Sequence, residues 1–151
     1  MTTTPATAPT TDGRVIALAH HAARAVLENV LTRHGLTFQQ SVTLRAVTLA
    51  GGSTTPDALV ADVINSLKTE ESAVREVVNA LVTAALLEPT PADPARLRLS
   101  ATGQALFDTT TKETAEVSAR LYADIPAEDL AAAGRVLTLL TERANAELAR
   151  A

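Results

Sequence analysis

The chain contains no cysteine and has very few aromatic residues. Without a thiol it can form no disulfide, no thiolate metal site and no cysteine nucleophile. Only 2% of its residues are aromatic, with no tryptophan, one tyrosine and two phenylalanines. Because proteins that bind single-stranded nucleic acid stack the bases on aromatic rings, an RNA-recognition or single-strand-binding surface is disfavoured.

Long apolar segments and recognisable catalytic motifs are also missing. No run of about 18 apolar residues occurs, so we predict no membrane-spanning helix. The N-terminus has neither the basic start nor the apolar run of a signal peptide, which favours a cytoplasmic location. There is no glycine-rich phosphate loop and no nucleophile elbow, so we expect no enzyme, no cofactor and no metal site.

The composition is that of a globular, mainly helical protein. The 151 residues are 46% hydrophobic and 20% charged, enough for one domain with a substantial core. Since aromatic residues are scarce, this core must consist mostly of alanine, leucine and valine, which pack well between helices. The formal net charge of -4 predicts a weak general attraction to the phosphates of nucleic acid.

Capping residues, prolines and glycines divide the chain into a tail and a series of helices. Residues 1–12 are of low complexity and are predicted to be a disordered tail, with residues 13–151 as a single domain. Thr37 and Thr55 are suitable N-caps and Gly35 a suitable C-cap. Helices are predicted at about 14–34, 38–50, 55–67 and 72–86, from Ser100 or Thr102 to about residue 122, and from 126 almost to the end.

The segment from residue 54 to residue 103 has the pattern of a helix-turn-helix followed by a hairpin. The second helix of this pair has apolar residues at helical spacing, namely Val74, Val77, Val78, Leu81 and Ala85. Arginine and leucine then alternate from Arg96 to Leu99, as in a strand with one buried face. We therefore predict a mainly α fold with a small β-hairpin wing, the winged helix-turn-helix occupying residues 37–103.

The flanking segments, residues 13–36 and 104–151, are predicted to be dimerisation helices. In the last helix Leu130, Leu137 and Ala144 form a seven-residue series, and Ala133 and Leu140 fall between them. These apolar faces are wider than a small winged domain can cover, which favours a homodimer. The alternative is a monomeric helical bundle that caps the domain.

Four short motifs resemble the MarR family (multiple antibiotic resistance regulators). Leu36-Thr-Phe-Gln-Gln40 resembles the opening of the family's second helix, and Glu71-Ser-Ala-Val74 the start of its recognition helix. Leu81-Val-Thr-Ala-Ala-Leu-Leu-Glu88 and Leu99-Ser-Ala-Thr-Gly103 resemble the segments on either side of its wing. The resemblance implies a homodimer that binds double-stranded DNA at inverted repeats. It also implies a small phenolic or anionic effector, bound between the winged domain and the dimer helices.

The chain departs from the family pattern at several places. The spacing between Leu59 and Val74 is a few residues longer than usual, so the third helix or the turn is expected to be longer. Glu71 stands where an arginine is common, and Ala85 where a glycine precedes the wing. The wing tip reads Pro91-Ala-Asp-Pro-Ala-Arg96 in place of the usual Asp-x-Arg.

The candidate DNA contacts lie on the second helix of the pair, in the turn and in the wing. Four polar residues share one helix face, because the last three lie 3, 4 and 7 positions after the first: Ser72, Arg75, Glu76 and Asn79. Arginine can bind guanine, asparagine adenine, and glutamate can accept from cytosine. Arg96 and Arg98 are expected to point outward from one strand face, and Lys68 and Thr69 to contact phosphate. The alternative is an ordinary solvated helix face and ordinary exposed strand charges.

His20, His21 and Arg24 are weak candidates for binding an acidic effector. Adjacent histidines lie about 100° apart on a helix, so the pair cannot chelate one ion well. Solvated or interfacial histidines are the alternative. Phe38 and Phe107 are predicted to lie in the core.

These patterns lead to a principal hypothesis and an alternative of another class. The principal one is a ligand-responsive homodimeric repressor that binds a pseudo-palindromic operator. The alternative is a winged-helix dimer without direct DNA recognition, acting as a protein-interaction or ligand-binding module. It is suggested by the acidity of the second helix of the pair and by the net charge of the chain.

Overall fold

The computed structural model describes residues 7–151, and residues 1–6 of the predicted tail lie outside this range. Residues 7–12 are exposed and belong to no helix or strand. The chain divides into two compact units, one extending to Thr114 and the other comprising Ala115–Ala151. Within residues 7–151, no helix is long and apolar enough to span a membrane.

The part of the chain that the structure describes contains helices joined by short connections, with one small sheet. In chain order the elements are α1 (Gly13–Arg33), α2 (Phe38–Leu49), β1 (Ser53–Thr54), α3 (Pro56–Leu67), α4 (Glu71–Thr83), β2 (Leu87–Pro89), β3 (Leu97–Leu99), α5 (Ala101–Leu121) and α6 (Ala127–Arg150). The predicted class, mainly α with a small hairpin wing, is confirmed.

The starts of the helices follow from local capping chemistry. Thr37 and Gln40 form a capping box: the Thr37 hydroxyl accepts the N–H of Gln40 at 3.1 Å, and the Gln40 side chain accepts the N–H of Thr37 at 3.0 Å. Thr55 accepts the N–H of Ala58 at 3.3 Å, next to a proline in the first turn. Both predicted N-caps are therefore confirmed.

Helix α4 ends three residues earlier than predicted, at Thr83 rather than Leu86. The chain leaves it through a Schellman motif, in which the N–H of Leu86 reaches the carbonyl of Leu81 at 2.9 Å and that of Ala85 reaches Val82 at 3.0 Å. This motif needs a left-handed residue, and Ala85 supplies it with a φ of 57°. Ala85 consequently lies exposed beyond the helix and does not extend its apolar face.

The wing belongs to a three-stranded antiparallel sheet with the order β1-β3-β2. Arg98 in the central strand β3 lies opposite Ser53 of β1 and Glu88 of β2. The hairpin β2–β3 was predicted, but β1 was not. A strand of two residues has no alternation to reveal it, and its partner lies more than forty positions away.

The core of the first unit lies between α2, α3, α4 and the sheet. Leu44, Val47, Leu59 and Leu81 are completely buried there. Phe107 packs partly buried against this core, as predicted. The prediction for Phe38 is wrong in part: it is half-buried, and the guanidinium of Arg24 covers its ring at 4.2 Å from the centroid.

Glu113 on α5 connects that helix to the end of α1. Its Oε2 lies 3.1 Å from Nη2 of Arg33 and 3.1 Å from Nε2 of His34. The proximity of His34, and next the hydrogen bond with Arg33, holds the pKa of Glu113 below its ordinary value. The carboxylate is therefore stabilised in its charged form.

Large apolar side chains remain exposed on α6 and on part of α1. No residue of α6 is buried, and Leu137 and Leu140 of the predicted seam are 43% and 46% exposed. On α1, Leu18 is 57% exposed, and Ala19 and Ala22 beside it are also exposed. A single copy of the chain therefore leaves these apolar faces open to solvent.

Candidate nucleic-acid interface

Helix α4 is amphipathic, with one face in the core and the other open to solvent. Val74, Val78 and Leu81 are buried. All four residues predicted to contact bases are exposed, namely Ser72, Arg75, Glu76 and Asn79. The helical spacing therefore placed these side chains correctly on one accessible surface.

The guanidinium of Arg75 contacts two carboxylates. Its Nε donates to Oε1 of Glu71 at 2.8 Å, and its Nη2 lies 2.7 Å from the same oxygen. Nη2 also donates to Oδ1 of Asp57, at the start of α3, at 3.1 Å. The hydrogen bond with Glu71, and next that with Asp57, raises the pKa of Arg75 above its ordinary value. Arg75 is therefore a permanent cation held between two acids.

The turn between α3 and α4 consists of residues 68–70. Lys68 ends α3 in the left-handed conformation, with a φ of 52°, and its N–H donates to the carbonyl of Ile64 at 2.8 Å. Its exposed ammonium donates to Oδ1 of Asn65 at 3.1 Å. Thr69 is half-buried. Lys68 is thus accessible to a phosphate, whereas Thr69 faces partly inward.

The two wing arginines are half-buried and hydrogen-bonded within the sheet. The sequence pattern had predicted that both would point outward from one strand face. Arg96 lies just before β3 and donates through Nε to the hydroxyl of Ser53 at 3.1 Å and through Nη2 to its carbonyl at 2.8 Å. Arg98 donates through Nε and Nη2 to Oε1 of Glu88, at 3.0 and 2.8 Å. Both side chains therefore hold β3 to a neighbouring strand, Arg96 to β1 and Arg98 to β2.

A cavity of about 230 Å³ lies between α2, α3 and α4. Its wall is mostly apolar, with Val63 and Leu67 from α3 and Val77 from α4. Its polar groups come from Gln39, Thr43, Thr69 and Glu76. No lysine or arginine lines it, so it offers an anion no countercharge.

Of the three predicted effector residues on α1, the two histidines are exposed and the arginine is already paired. His20 and His21 are exposed, with ring centroids 5.3 Å apart. The guanidinium of Arg24 pairs with Glu28 at 3.1 Å while it covers the ring of Phe38. Among residues 7–151, no group of three or more histidine, aspartate or glutamate side chains is placed to hold a metal ion.

Sequence reasoning missed four residues that hold the candidate arginines, namely Glu71, Asp57, Ser53 and Glu88. Glu71 had a usable signal, since acid and base four residues apart on a helix commonly pair. Asp57 lies 18 positions from Arg75, and Ser53 lies 43 positions from Arg96. No local pattern in the sequence relates such distant residues.

Several solved structures of transcription regulators have the same fold as this chain. A mutant of MarR from E. coli complexed with operator DNA is 18% identical, with a TM-score of 0.67, over 85% of this chain and 91% of that one. The organohalide-sensing regulator RdhR bound to 2,4-dichlorophenol is 19% identical, with a TM-score of 0.70, over 86% and 77%. Ligand-free NadR is 18% identical, with a TM-score of 0.71, over 88% and 97%.

At this level of identity the similarity shows the fold. It agrees with the MarR-like winged helix-turn-helix expected from the motifs. Comparison with protein-family models and with curated protein sequences yields no match.

Proposed function

We propose that this protein is a homodimeric, ligand-responsive transcription regulator that binds double-stranded DNA through α4. The principal support is the construction of α4, which buries Val74, Val78 and Leu81 and exposes the polar residues beside them. A helix held in this way by a helix-turn-helix is suited to enter the major groove. The same fold occurs in a MarR structure that contains operator DNA.

The exposed side chains of α4 have the chemistry needed to read base edges. Arg75 carries the guanidinium that suits guanine, and Asn79 carries the amide that suits adenine. Glu76 can accept from the amino group of cytosine, and Ser72 can contact either a base or a phosphate. Lys68 is exposed at the turn, and its ammonium group suits a phosphate of the DNA backbone.

The uncovered apolar faces support a dimer of identical chains. Helix α6 has no buried residue, while Leu137 and Leu140 recur along it at the spacing of a packing seam. Pairing two such helices removes these leucines from water. A two-fold dimer would present two copies of α4 to successive major grooves, about 34–36 Å apart, and so select a pseudo-palindromic site.

A small molecule bound between α2, α3 and α4 would give the protein a way to regulate DNA binding. The cavity between α2, α3 and α4 adjoins the inner side of α4. The RdhR structure of the same fold contains 2,4-dichlorophenol. An apolar ligand that alters the spacing of these helices would move α4 relative to the groove, which gives a repressor a means of release.

The test is fluorescence anisotropy with the protein's own upstream DNA at two salt concentrations. We expect tight binding that weakens steeply as salt is added, because phosphate contacts release counterions. Arg75→Ala should weaken binding by about 1–3 kcal/mol, roughly 5- to 150-fold, and relax selection at one base pair. Binding no tighter than micromolar for the natural chain would contradict the proposal.

The second candidate is a winged-helix dimer that does not recognise DNA directly. It is favoured by the acids around α4, since Arg75 is paired with Glu71 and Asp57, and Arg98 is paired with Glu88. The net charge of -4 points the same way. The same titration distinguishes the two, because this candidate dimerises but shows no salt-dependent binding to duplex DNA.

A further inference from the structure

Asp57 and Glu71 occupy the hydrogen-bond donors with which Arg75 would bind DNA. Glu71 accepts from Nε of Arg75, with Nη2 lying 2.7 Å from the same oxygen, and Asp57 accepts from Nη2. Arginine has five N–H donors, and it binds guanine with a pair of donors that point the same way along one edge of the guanidinium. One such edge uses Nε with Nη2, and the other uses Nη1 with Nη2.

Both of these edges of Arg75 are engaged in the free protein. Glu71 takes the Nε donor that the first edge requires, while Asp57 takes an Nη2 donor that the second edge requires. A two-pronged contact from Arg75 to a guanine or a phosphate therefore requires that at least one carboxylate be displaced. Nη1 alone is left to make a single-pronged contact.

The two carboxylates also oppose DNA through their charge. Both belong to exposed side chains, 87% exposed for Asp57 and 60% for Glu71, beside the face of α4 proposed to enter the groove. A phosphate backbone that approaches Arg75 would meet two negative charges within hydrogen-bonding distance of that cation. Like-charge contacts of this kind slow association and weaken the complex.

We propose that Asp57 and Glu71 set the strength of DNA binding by competing with DNA for the guanidinium of Arg75. This inference rests on the proposed function. Asp57 thereby becomes a determinant of DNA affinity although it lies on α3, outside the recognition helix. The carboxylates hold Arg75 toward the start of α3 in the free protein and release it when the groove is engaged.

Removing either negative charge should cost the fold little stability. Thr55 and a proline in the first turn already start α3, and ion pairs this exposed contribute little to stability. Asp57→Asn and Glu71→Gln keep the size of each side chain and remove its charge. Asp62→Asn is the matched control, since Asp62 is exposed on the same helix and forms no ion pair within residues 7–151.

The experiment measures the affinity of each variant for the protein's own upstream duplex at fixed salt. We expect Asp57→Asn and Glu71→Gln each to bind about three- to tenfold more tightly than the natural chain, the double variant more tightly still, and Asp62→Asn to change little. In an Arg75→Ala background, the gain from Asp57→Asn should shrink to the smaller part that comes from charge repulsion alone. This dependence of the gain on Arg75 identifies Arg75 as the group through which the acids act.

Three outcomes would overturn the proposal, and the first two are distinguishable from failure of the proposed function. If the natural chain binds DNA but Asp57→Asn weakens it, the carboxylates support Arg75 and do not compete for it. If the gain persists undiminished in the Arg75→Ala background, only general charge repulsion is at work. If neither the natural chain nor the double variant binds duplex DNA, the proposed function fails and this inference fails with it.

A second measurement needs no DNA. In the free protein, NMR of the arginine side chains should find the Nε–H of Arg75 protected from exchange with solvent, with Glu71→Gln removing much of that protection. The exposed Arg143 has no ion pair within residues 7–151 and provides the reference. An Arg75 Nε–H that exchanges as fast as that of Arg143 in the natural chain would also overturn the proposal.

Discussion

Replacing Gly103 with alanine tests how closely the start of α5 is packed against the chain that leaves α4. A Cβ at this position would overlap the carbonyl oxygen of Leu86 and lie 3.0 Å from its carbonyl carbon. The same oxygen accepts the N–H of Ser100 at 3.0 Å. The Ser100 hydroxyl donates to the carbonyl of Ala85 at 2.6 Å and accepts the N–H of Gly103 at 2.9 Å. The backbone therefore cannot move away without breaking bonds that start α5.

The expected magnitude follows from opposing effects. Alanine normally stabilises a helix relative to glycine by about 1 kcal/mol. At Gly103 this gain is offset by about 1–3 kcal/mol of steric overlap and by about 1 kcal/mol for a weakened hydrogen bond. The net loss of unfolding free energy is about 1–3 kcal/mol, which should lower the Tm by roughly 3–10 °C in a chain of this size.

Gly134→Ala is the matched control, because Gly134 lies inside α6 with no atom within 4 Å of the added Cβ. The added methyl group meets no other atom of its own chain, so the helix preference of alanine should raise stability by about 0.5–1 kcal/mol. Urea unfolding and thermal melts at one protein concentration would measure both variants. Two glycine-to-alanine substitutions should thus change the free energy of unfolding in opposite directions. A Gly103→Ala variant as stable as the natural chain would refute the close packing inferred between α5 and Leu86.

Three further predictions concern other parts of the molecule. Ala85→Gly should raise the unfolding free energy by about 0.5–1 kcal/mol in urea titrations, because glycine adopts the left-handed conformation without the cost that alanine bears; a less stable variant would contradict this. The folded-state pKa of Glu113 is lowered from its ordinary 4.5. The contribution of this carboxylate to the free energy of unfolding is therefore fully present above pH 4.5 and is lost as the pH falls through the lowered pKa. Glu113→Gln should therefore lower the urea midpoint at pH 7 but much less at pH 3.5, and an equal loss at both would contradict the assignment. Leu140→Glu should dissociate the proposed dimer in sedimentation experiments, whereas Thr138→Glu, two positions earlier on another side of the helix, should not; an unchanged sedimentation coefficient for Leu140→Glu would refute that seam.

Most helix starts could be predicted because their causes are local. Thr37 and Thr55 cap the residues that follow them directly, and Ser100 does the same for α5 through the N–H of Gly103. The end of α4 was harder to place. An alanine at position 85 reads as a continuation of the helix, whereas the structure turns the chain there so that Leu86 packs against the core.

The candidate site likewise has some features that local spacing predicts and others that depend on how the helices and strands pack. The 3.6-residue period alone predicted that Ser72, Arg75 and Asn79 share the exposed face of α4. It could not predict that Arg75 contacts Asp57, because that contact depends on how α3 and α4 pack. Likewise, alternation placed Arg96 in the wing strand, which in the structure begins one residue later, but the hydrogen bonds of Arg96 to Ser53 required β1 to pair with β3.

The sequence by itself determined the absence of thiol chemistry, the order of the helices, the amphipathic character of α4 and the alternation of the wing. Each of these depends on residue type or on spacing within one element. The tertiary structure alone decided which carboxylates meet Arg75, which strand completes the sheet and why Gly103 admits no side chain. These features join residues that are distant in the chain, and only the packing of whole elements brings such residues together.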